Sequence, residues 1–127
     1  MLTKLLKAKV HRAVVTFTDL DYHGSITIDE EILEQCGLLP NEAVVVADCE
    51  NGNRFETYII PGRRGSGEVA VNGAAARLTQ VGHRVIVLAF VLAGPDEIAG
   101  HVARVAVMDK KNRVKEVIEH RMSPAHE

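Results

Sequence analysis

The chain has 127 residues, of which 46% are hydrophobic and 25% are charged, and its formal net charge is −2. A length close to that of one average domain excludes a separate cofactor-binding module, so we expect a single domain over residues 1–127. The slightly acidic balance provides no broad positive field, which argues against nucleic acid or an anionic membrane surface as the main partner.

The sequence predicts neither a membrane segment nor a metal site. The longest apolar run, residues 85–94, is much shorter than the roughly 20 residues that span a bilayer. Residues 1–12 scatter Lys and Arg among apolar residues, unlike a signal peptide, so we expect a cytoplasmic protein. Cys36 and Cys49 form no CxxC pair. No metal-ligand spacing connects the histidines, which are His11, His23, His83, His101, His120 and His126.

Segments rich in β-branched residues and bounded by turn signals predict strands. They are residues 13–17, 43–47, 55–60, 69–71, 85–92 and 102–108. One helix is predicted after the first strand, because Asp29 provides an N-cap and Gly37 a left-handed stop. Ile32, Leu33 and Cys36 share one face of that helix, as in a short amphipathic cover.

Two features concern how the strands associate. The pair Asn51-Gly52 tolerates positive φ, so residues 44–49 and 54–60 are predicted to form a hairpin. The candidate residues on its return strand are Arg54, Thr57 and Tyr58. Residues 85–92 lack polar alternation, which favours a strand buried on both faces, in a closed barrel or at a subunit interface.

The remaining segments carry weaker signals. The run Asn72-Gly73-Ala74-Ala75-Ala76 is compatible with a second helix start that favours an anionic group, although a plain turn is the simpler interpretation. The charged tail from Lys110 onward is predicted to be solvated, with roughly its last ten residues loosely held.

The dipeptide Gly24-Ser25 is the candidate reactive site. A Gly-Ser pair alone is a weak signal, because Gly65-Ser66 repeats it as an ordinary turn. In the functional interpretation, Ser25 Oγ attacks the Gly24 carbonyl, where glycine tolerates a strained backbone. Elimination from the resulting ester leaves dehydroalanine, which hydrolyses to ammonia and a pyruvoyl group at the new N-terminus.

Several motifs occur together in one order. They are Lys9-Val10-His11-Arg12, Asp19-Leu20, Tyr22-His23-Gly24-Ser25, Asn51-Gly52-Asn53-Arg54-Phe55-Glu56-Thr57-Tyr58, Arg64-Gly65-Ser66 and Val71-Asn72-Gly73-Ala74-Ala75-Ala76. Each motif alone is weak, but their joint order and spacing resemble the aspartate 1-decarboxylase family. The resemblance covers the chain from its start to about Val91, whereas residues 93–127 align only loosely.

The resemblance implies a mainly β fold, a double-psi β-barrel with a few short helices. It also implies a homotetramer with active sites near subunit contacts. Self-cleavage would give a β chain, residues 1–24, and an α chain, residues 25–127. The covalent pyruvoyl group derived from Ser25 would be the cofactor, without pyridoxal phosphate or metal. Whether processing needs a maturation factor stays open.

The same resemblance implies roles for individual residues. Ser25 becomes the pyruvoyl that forms a Schiff base with L-aspartate, Tyr58 is the proton donor, and Thr57 assists processing and contacts substrate. Further substrate contacts are implied for Arg54, Lys9, Asn72, Gly73, Ala74 and Ala75, and more weakly for His11 and Tyr22.

These residue types suit a decarboxylation. An imine to an electron-poor carbonyl accepts the electrons left by carbon dioxide. Arg54 offers a planar fork for a carboxylate, unlike the point charge of Lys9, and a phenol such as Tyr58 can protonate the carbanion. The product would be β-alanine for pantothenate (coenzyme A) synthesis. Two alternatives remain: a pyruvoyl decarboxylase for another small amino acid, and a β-barrel binding module in which Gly24-Ser25 stays an intact turn.

Overall fold

The computed structural model describes residues 1–122. His126 lies outside the described residues, as does part of the chain end that was predicted to be loosely held. The strands are β1 (Thr3–Val14), β2 (Phe17–Asp19), β3 (Ser25–Asp29), β4 (Ala43–Asp48), β5 (Arg54–Gly62), β6 (Val69–Asn72), β7 (Arg84–Ala93), β8 (Val102–Met108) and β9 (Val114–Arg121). The helices are α1 (Glu30–Cys36), a 3₁₀ helix (Gly73–Leu78) and α2 (Pro95–Ile98).

All the described strands belong to one sheet with the order β2-β6-β3-β5-β4-β7-β1-β8-β9. Three neighbouring pairs are parallel, namely β1 with β8, β2 with β6 and β3 with β5, and the others are antiparallel. The predicted fold class, mainly β with a few short helices, is confirmed, and the mixed sheet agrees with a double-psi β-barrel. Within residues 1–122, no helix is both long and apolar enough to cross a bilayer.

The core is built from one face of the central strands. Val10, Ile26, Ile59 and Val87 are almost completely buried there, and helix α1 packs its apolar face over the same cluster. The prediction that residues 85–92 are buried on both faces is wrong for a single chain. Their alternate side chains are only half-buried, and Leu92 at the end of β7 is 61% exposed, because no layer formed by residues 1–122 covers the second face.

Local signals predicted the helix and the hairpin correctly. Asp29 Oδ1 accepts a hydrogen bond from the Glu31 N–H, and Gly37 ends α1 with a φ of 74°. Strands β4 and β5 pair antiparallel around the predicted turn, in which Gly52 has a φ of 78°. The run that begins at Asn72 does continue into a helix, of the 3₁₀ type.

The strand predicted at residues 13–17 is confirmed at residues 13, 14 and 17 but is interrupted at residues 15 and 16, because the chain changes ladders there. The Val15 N–H donates to His83 O, whereas the Thr16 N–H donates to Val69 O, so β1 ends before β2 begins. Most of β1, and all of β3 and β9, were not predicted. Residues 114–121 are exposed, as predicted for the charged tail, but they form a strand paired with β8, which the sequence did not predict.

Candidate active site

Ser25 is the first residue of β3, and its side chain is completely buried. It lies opposite Asn72 in the antiparallel ladder between β3 and β6. The Ser25 hydroxyl donates to His23 O at 3.0 Å and accepts from Asn72 Nδ2 at 3.0 Å. These contacts describe Ser25 as a serine in the uncleaved chain, beside the predicted scissile bond.

Gly73 packs closely against the backbone of Gly24. Its φ is +79°, and a Cβ built on it would lie 2.6 Å from Gly24 Cα and 2.8 Å from Gly24 N. Such distances exclude any side chain at Gly73, so the predicted substrate turn packs directly on the predicted cleavage site.

This structure shows no steric need for glycine at position 24, so its role in the attack stays a prediction. Gly24 does not have a positive φ, and a Cβ built on it would meet no atom within 4 Å. The requirement for a residue without a side chain belongs to Gly73. The next two residues of the turn differ in burial: Ala74 is exposed, and Ala75 is half-buried against the core.

Thr57 and Tyr58 lie on β5, the parallel neighbour of β3. Ile26 pairs with Ile59, so Tyr58 comes one residue before the paired stretch, as Ser25 does on β3. Both residues line a cavity of about 420 Å³. Its complete lining is Lys4, Ala43, Val44, Val45, Glu56, Thr57, Tyr58 and Phe90. Ser25 is not among the residues that line this cavity.

In the described residues, Lys9 and Arg54 occupy ladder positions away from that of Ser25. Lys9 lies on β1 between Leu88 of β7 and Val105 of β8, whereas Arg54 is exposed at the start of β5. The described contacts in residues 1–122 include no hydrogen bond or ion pair from either side chain to Ser25.

The two weaker candidates, His11 and Tyr22, have no hydrogen bond to the Ser25 hydroxyl among the contacts described for residues 1–122. Burial lowers the pKa of His11, and the positive charges of Lys9, Arg12 and Arg84 lower it further. Tyr22 is exposed in the loop before the cleavage site, where its ring contacts His23 edge-on with centroids 5.4 Å apart.

A family model for aspartate decarboxylase matches residues 1–115. The chain belongs to the aspartate decarboxylase family. Three of its relatives carry the name aspartate 1-decarboxylase. The protein of Anoxybacillus flavithermus is 52% identical over 118 residues, which are 93% of each chain. That of Geobacillus sp. (strain WCH70) is 49% identical over 126 residues, 99% of this chain and 98% of the relative. That of Bacillus subtilis is 46% identical over 118 residues, 93% of each chain.

Membership in the aspartate decarboxylase family makes the chain a carboxy-lyase and confirms the family that the motifs predicted. The similarity also extends farther than we expected, since the family model continues to residue 115, past the limit drawn at Val91.

Sequence reasoning missed Thr27, whose hydroxyl accepts from the same Asn72 amide as the Ser25 hydroxyl. Asn72 Nδ2 donates at 3.2 Å to Thr27 Oγ1 as well as to Ser25 Oγ. No signal pointed to it, because residues two apart share a face only within a strand, and the sequence did not predict a strand at residues 25–29.

A carboxylate and histidine cluster was also missed, because its members are far apart in sequence. Ligand atoms of Asp48, Glu50 and His83 lie within 4.8 Å of one another. Both oxygens of Asp48 already accept hydrogen bonds: Oδ2 from Thr79 Oγ1 and His83 Nδ1, each at 2.7 Å, and Oδ1 from the N–H groups of Glu50 and Asn51. These hydrogen bonds indicate that Asp48 stabilises the hairpin turn. The absence of a metal stays a prediction.

Proposed function

We propose that this chain cleaves itself at Gly24-Ser25 and uses the resulting pyruvoyl group to convert L-aspartate to β-alanine and carbon dioxide for pantothenate biosynthesis. The name shared by the relatives supports the substrate and the reaction. The observation that carries the self-cleavage is that the buried Ser25 hydroxyl, directly after Gly24, accepts from Asn72, and that Gly73 contacts the Gly24 backbone closely. The expected cytoplasmic location rests on the sequence alone.

The first step exchanges an amide for an ester. Ser25 Oγ forms a bond to the Gly24 carbonyl carbon, the Gly24–Ser25 C–N bond breaks, and the hydroxyl proton passes to the nitrogen of Ser25. Holding the reacting groups in one geometry removes much of the entropic barrier to such a reaction. Asn72 and Gly73 supply that restraint, one on the hydroxyl and the other on the Gly24 backbone.

The second step breaks the ester. The Cα proton of residue 25 passes to water, the Cβ–Oγ bond breaks, and Oγ leaves as one oxygen of the Gly24 carboxylate. Tautomerisation of the dehydroalanine and addition of water then release ammonia and leave a ketone. The residues around Ser25 fit this small group, because the site is buried and offers the Asn72 amide as a donor.

Once formed, the pyruvoyl group supplies an electron-poor carbonyl that accepts the electrons released with carbon dioxide. Tyr58 then donates a proton to the substrate carbon, and Arg54 with Lys9 binds the substrate carboxylates. Because Arg54 and Lys9 occupy ladder positions away from that of Ser25, a homotetramer in which a neighbouring copy completes the site accounts for their roles. Processing is either spontaneous or assisted by a maturation factor.

Intact mass and product formation test this function together. Purified wild-type protein should yield fragments 1–24 and 25–127, the second without a free N-terminal amine, and should form β-alanine from aspartate. Ser25→Ala should abolish both. Ser66 belongs to the other Gly-Ser pair and is exposed, so Ser66→Ala should change neither cleavage nor β-alanine formation. Wild-type protein that stays uncleaved yet decarboxylates aspartate would overturn the mechanism.

Chemical trapping tests the origin of the reactive carbonyl. Borohydride added with aspartate should inactivate the enzyme and attach the substrate covalently to residue 25, with no requirement for added pyridoxal phosphate. Peptide mapping that finds the adduct on a lysine instead would refute the assignment to Ser25.

A further inference from the structure

We propose that Thr27 is a positioning residue for self-cleavage, which directs the Asn72 amide toward Ser25 Oγ and thereby favours the elimination step. This inference rests on the self-cleavage proposed above. Asn72 Nδ2 donates to Ser25 Oγ at 3.0 Å and to Thr27 Oγ1 at 3.2 Å, so the two hydroxyls accept from the same amide nitrogen.

The amide orientation depends on both acceptors. Asn72 is only 4% exposed, so an N–H group that lost its acceptor would be buried without a partner, which is costly. Removal of the Thr27 hydroxyl therefore favours rotation of the amide. A rotated amide presents Oδ1 instead of Nδ2 to Ser25, and the donor to Oγ is lost.

The Thr27 hydroxyl is itself held in place by packing. A Cβ built on Gly62 would lie 3.1 Å from Thr27 Cγ2, so the methyl group occupies the space beside Gly62, and Oγ1 is left on the Asn72 side. Threonine has a stiff χ1 angle because it is branched at Cβ. Gly62, Thr27 and Asn72 thus form a chain of contacts that ends at Ser25.

The donor to Oγ acts most strongly when the ester is eliminated. As the Cβ–Oγ bond breaks, its electron pair passes to Oγ, which becomes an oxygen of the Gly24 carboxylate. Negative charge develops at that atom, and the N–H of Asn72 already faces it. During the preceding attack the same N–H only orients Oγ. Loss of the Thr27 hydroxyl should therefore slow elimination more than ester formation, and the ester should accumulate.

The test compares freshly synthesised wild-type chain with Thr27→Val, which removes the hydroxyl, and with Thr27→Ser, which retains it. Thr27→Val should release fragment 1–24 about three- to tenfold more slowly, the range expected for one neutral hydrogen bond. Hydroxylamine should cleave its accumulated ester into a Gly24 hydroxamate and a chain that begins with serine. Thr27→Ser should process within about twofold of wild type. If Thr27→Val folds poorly, Thr27→Ala replaces it in the test, with the same expected slowing and ester accumulation.

A double-mutant comparison separates positioning from general destabilisation. If Thr27 acts through Asn72, Thr27→Val should add no further slowing in an Asn72→Ala background. Additive slowing in the double variant would overturn the proposed role of Thr27. Wild-type kinetics with no accumulated ester in Thr27→Val and Thr27→Ala would overturn it as well. Neither outcome would affect the proposed function. An uncleaved wild-type chain would instead overturn the proposed function, so the two failures are distinguishable.

Discussion

Tyr58 is the residue that distinguishes self-processing from decarboxylation. Its side chain is 37% exposed and lines the cavity beside β5, and it makes no described contact with the Ser25 hydroxyl. Tyr58→Phe retains the ring, so the variant should fold and cleave. Turnover should fall by roughly 10²- to 10⁴-fold, the usual contribution of general acid catalysis, because the proton donor is gone.

The processed fraction and the rate of β-alanine formation should be measured on one sample of Tyr58→Phe. Full processing with near wild-type turnover would remove Tyr58 from the mechanism. Failure to process would assign it to maturation, beside Thr57.

Asp48 is a buried carboxylate whose hydrogen bonds close the hairpin turn. Burial acts to raise its pKa, but hydrogen bonds from His83, Thr79 and the N–H groups of Glu50 and Asn51 outweigh burial and hold the pKa below its usual value. A carboxyl with a lower pKa in the folded chain contributes its full stabilisation above the unfolded pKa of about 4. That contribution is lost as the pH falls from there through the folded-state pKa.

We therefore expect the free energy of unfolding of the wild type to decrease below about pH 4, and to decrease less in Asp48→Asn. Denaturant titrations at several pH values measure both curves. Asp96→Asn is the matched control, because Asp96 is exposed, and its curve should follow that of the wild type. Parallel curves for wild type and Asp48→Asn would show that Asp48 contributes nothing to the acid sensitivity.

At the scale of elements, Gly73 follows the last residue of β6 and packs against Gly24 in the loop that contains the predicted cleavage site. Gly73 and Gly52 have nearly the same φ, +79° and +78°, but only Gly73 has backbone atoms where a Cβ would lie. Gly73→Ala and Gly52→Ala should each lose about 1–2 kcal/mol of stability from the left-handed conformation. Gly73→Ala should in addition displace Gly24 and abolish self-cleavage, whereas Gly52→Ala should cleave normally.

Mass spectra and unfolding curves of the two glycine variants check this expectation. Normal cleavage in Gly73→Ala would show that the close approach to Gly24 is not needed. Equal loss of cleavage in both variants would point to strain alone.

At the scale of the whole molecule, the contacts described for residues 1–122 include none between Arg54 and Ser25. If a neighbouring copy supplies Arg54, mixed oligomers of Ser25→Ala and Arg54→Ala should regain activity, because processed Arg54→Ala chains receive an intact Arg54 from their neighbours. Their kcat/KM for aspartate should exceed that of Arg54→Ala alone, which we expect to lose about 2–3 kcal/mol of transition-state stabilisation.

Two affinity tags isolate such mixed oligomers for assay. The control combines Arg54→Ala with the double variant Ser25→Ala/Arg54→Ala, which supplies no Arg54 and should give no recovery. If both mixtures match Arg54→Ala alone, Arg54 acts within its own chain or lies outside the site. Light scattering on the wild type measures the expected tetramer.

The sequence by itself determined the features that depend on neighbouring residues. Asp29 and Gly37 delimit α1 correctly, and Asn51-Gly52 marks the hairpin, because capping and turn formation involve only a few consecutive residues. The family followed from the order of several short motifs. Strand β3 was missed, since its five residues carry little periodicity and its partners, β5 and β6, lie far along the chain.

Only the tertiary structure decided which distant residues meet. The ladder between β3 and β6 brings Asn72 to Ser25 across 47 positions of sequence, and the close approach of Gly73 to Gly24 follows from it. The Asp48–His83 contact arises in the same way, across 35 positions. No local pattern encodes these pairs, because strand register is selected by burial of the whole sheet face and not by the residues that come into contact.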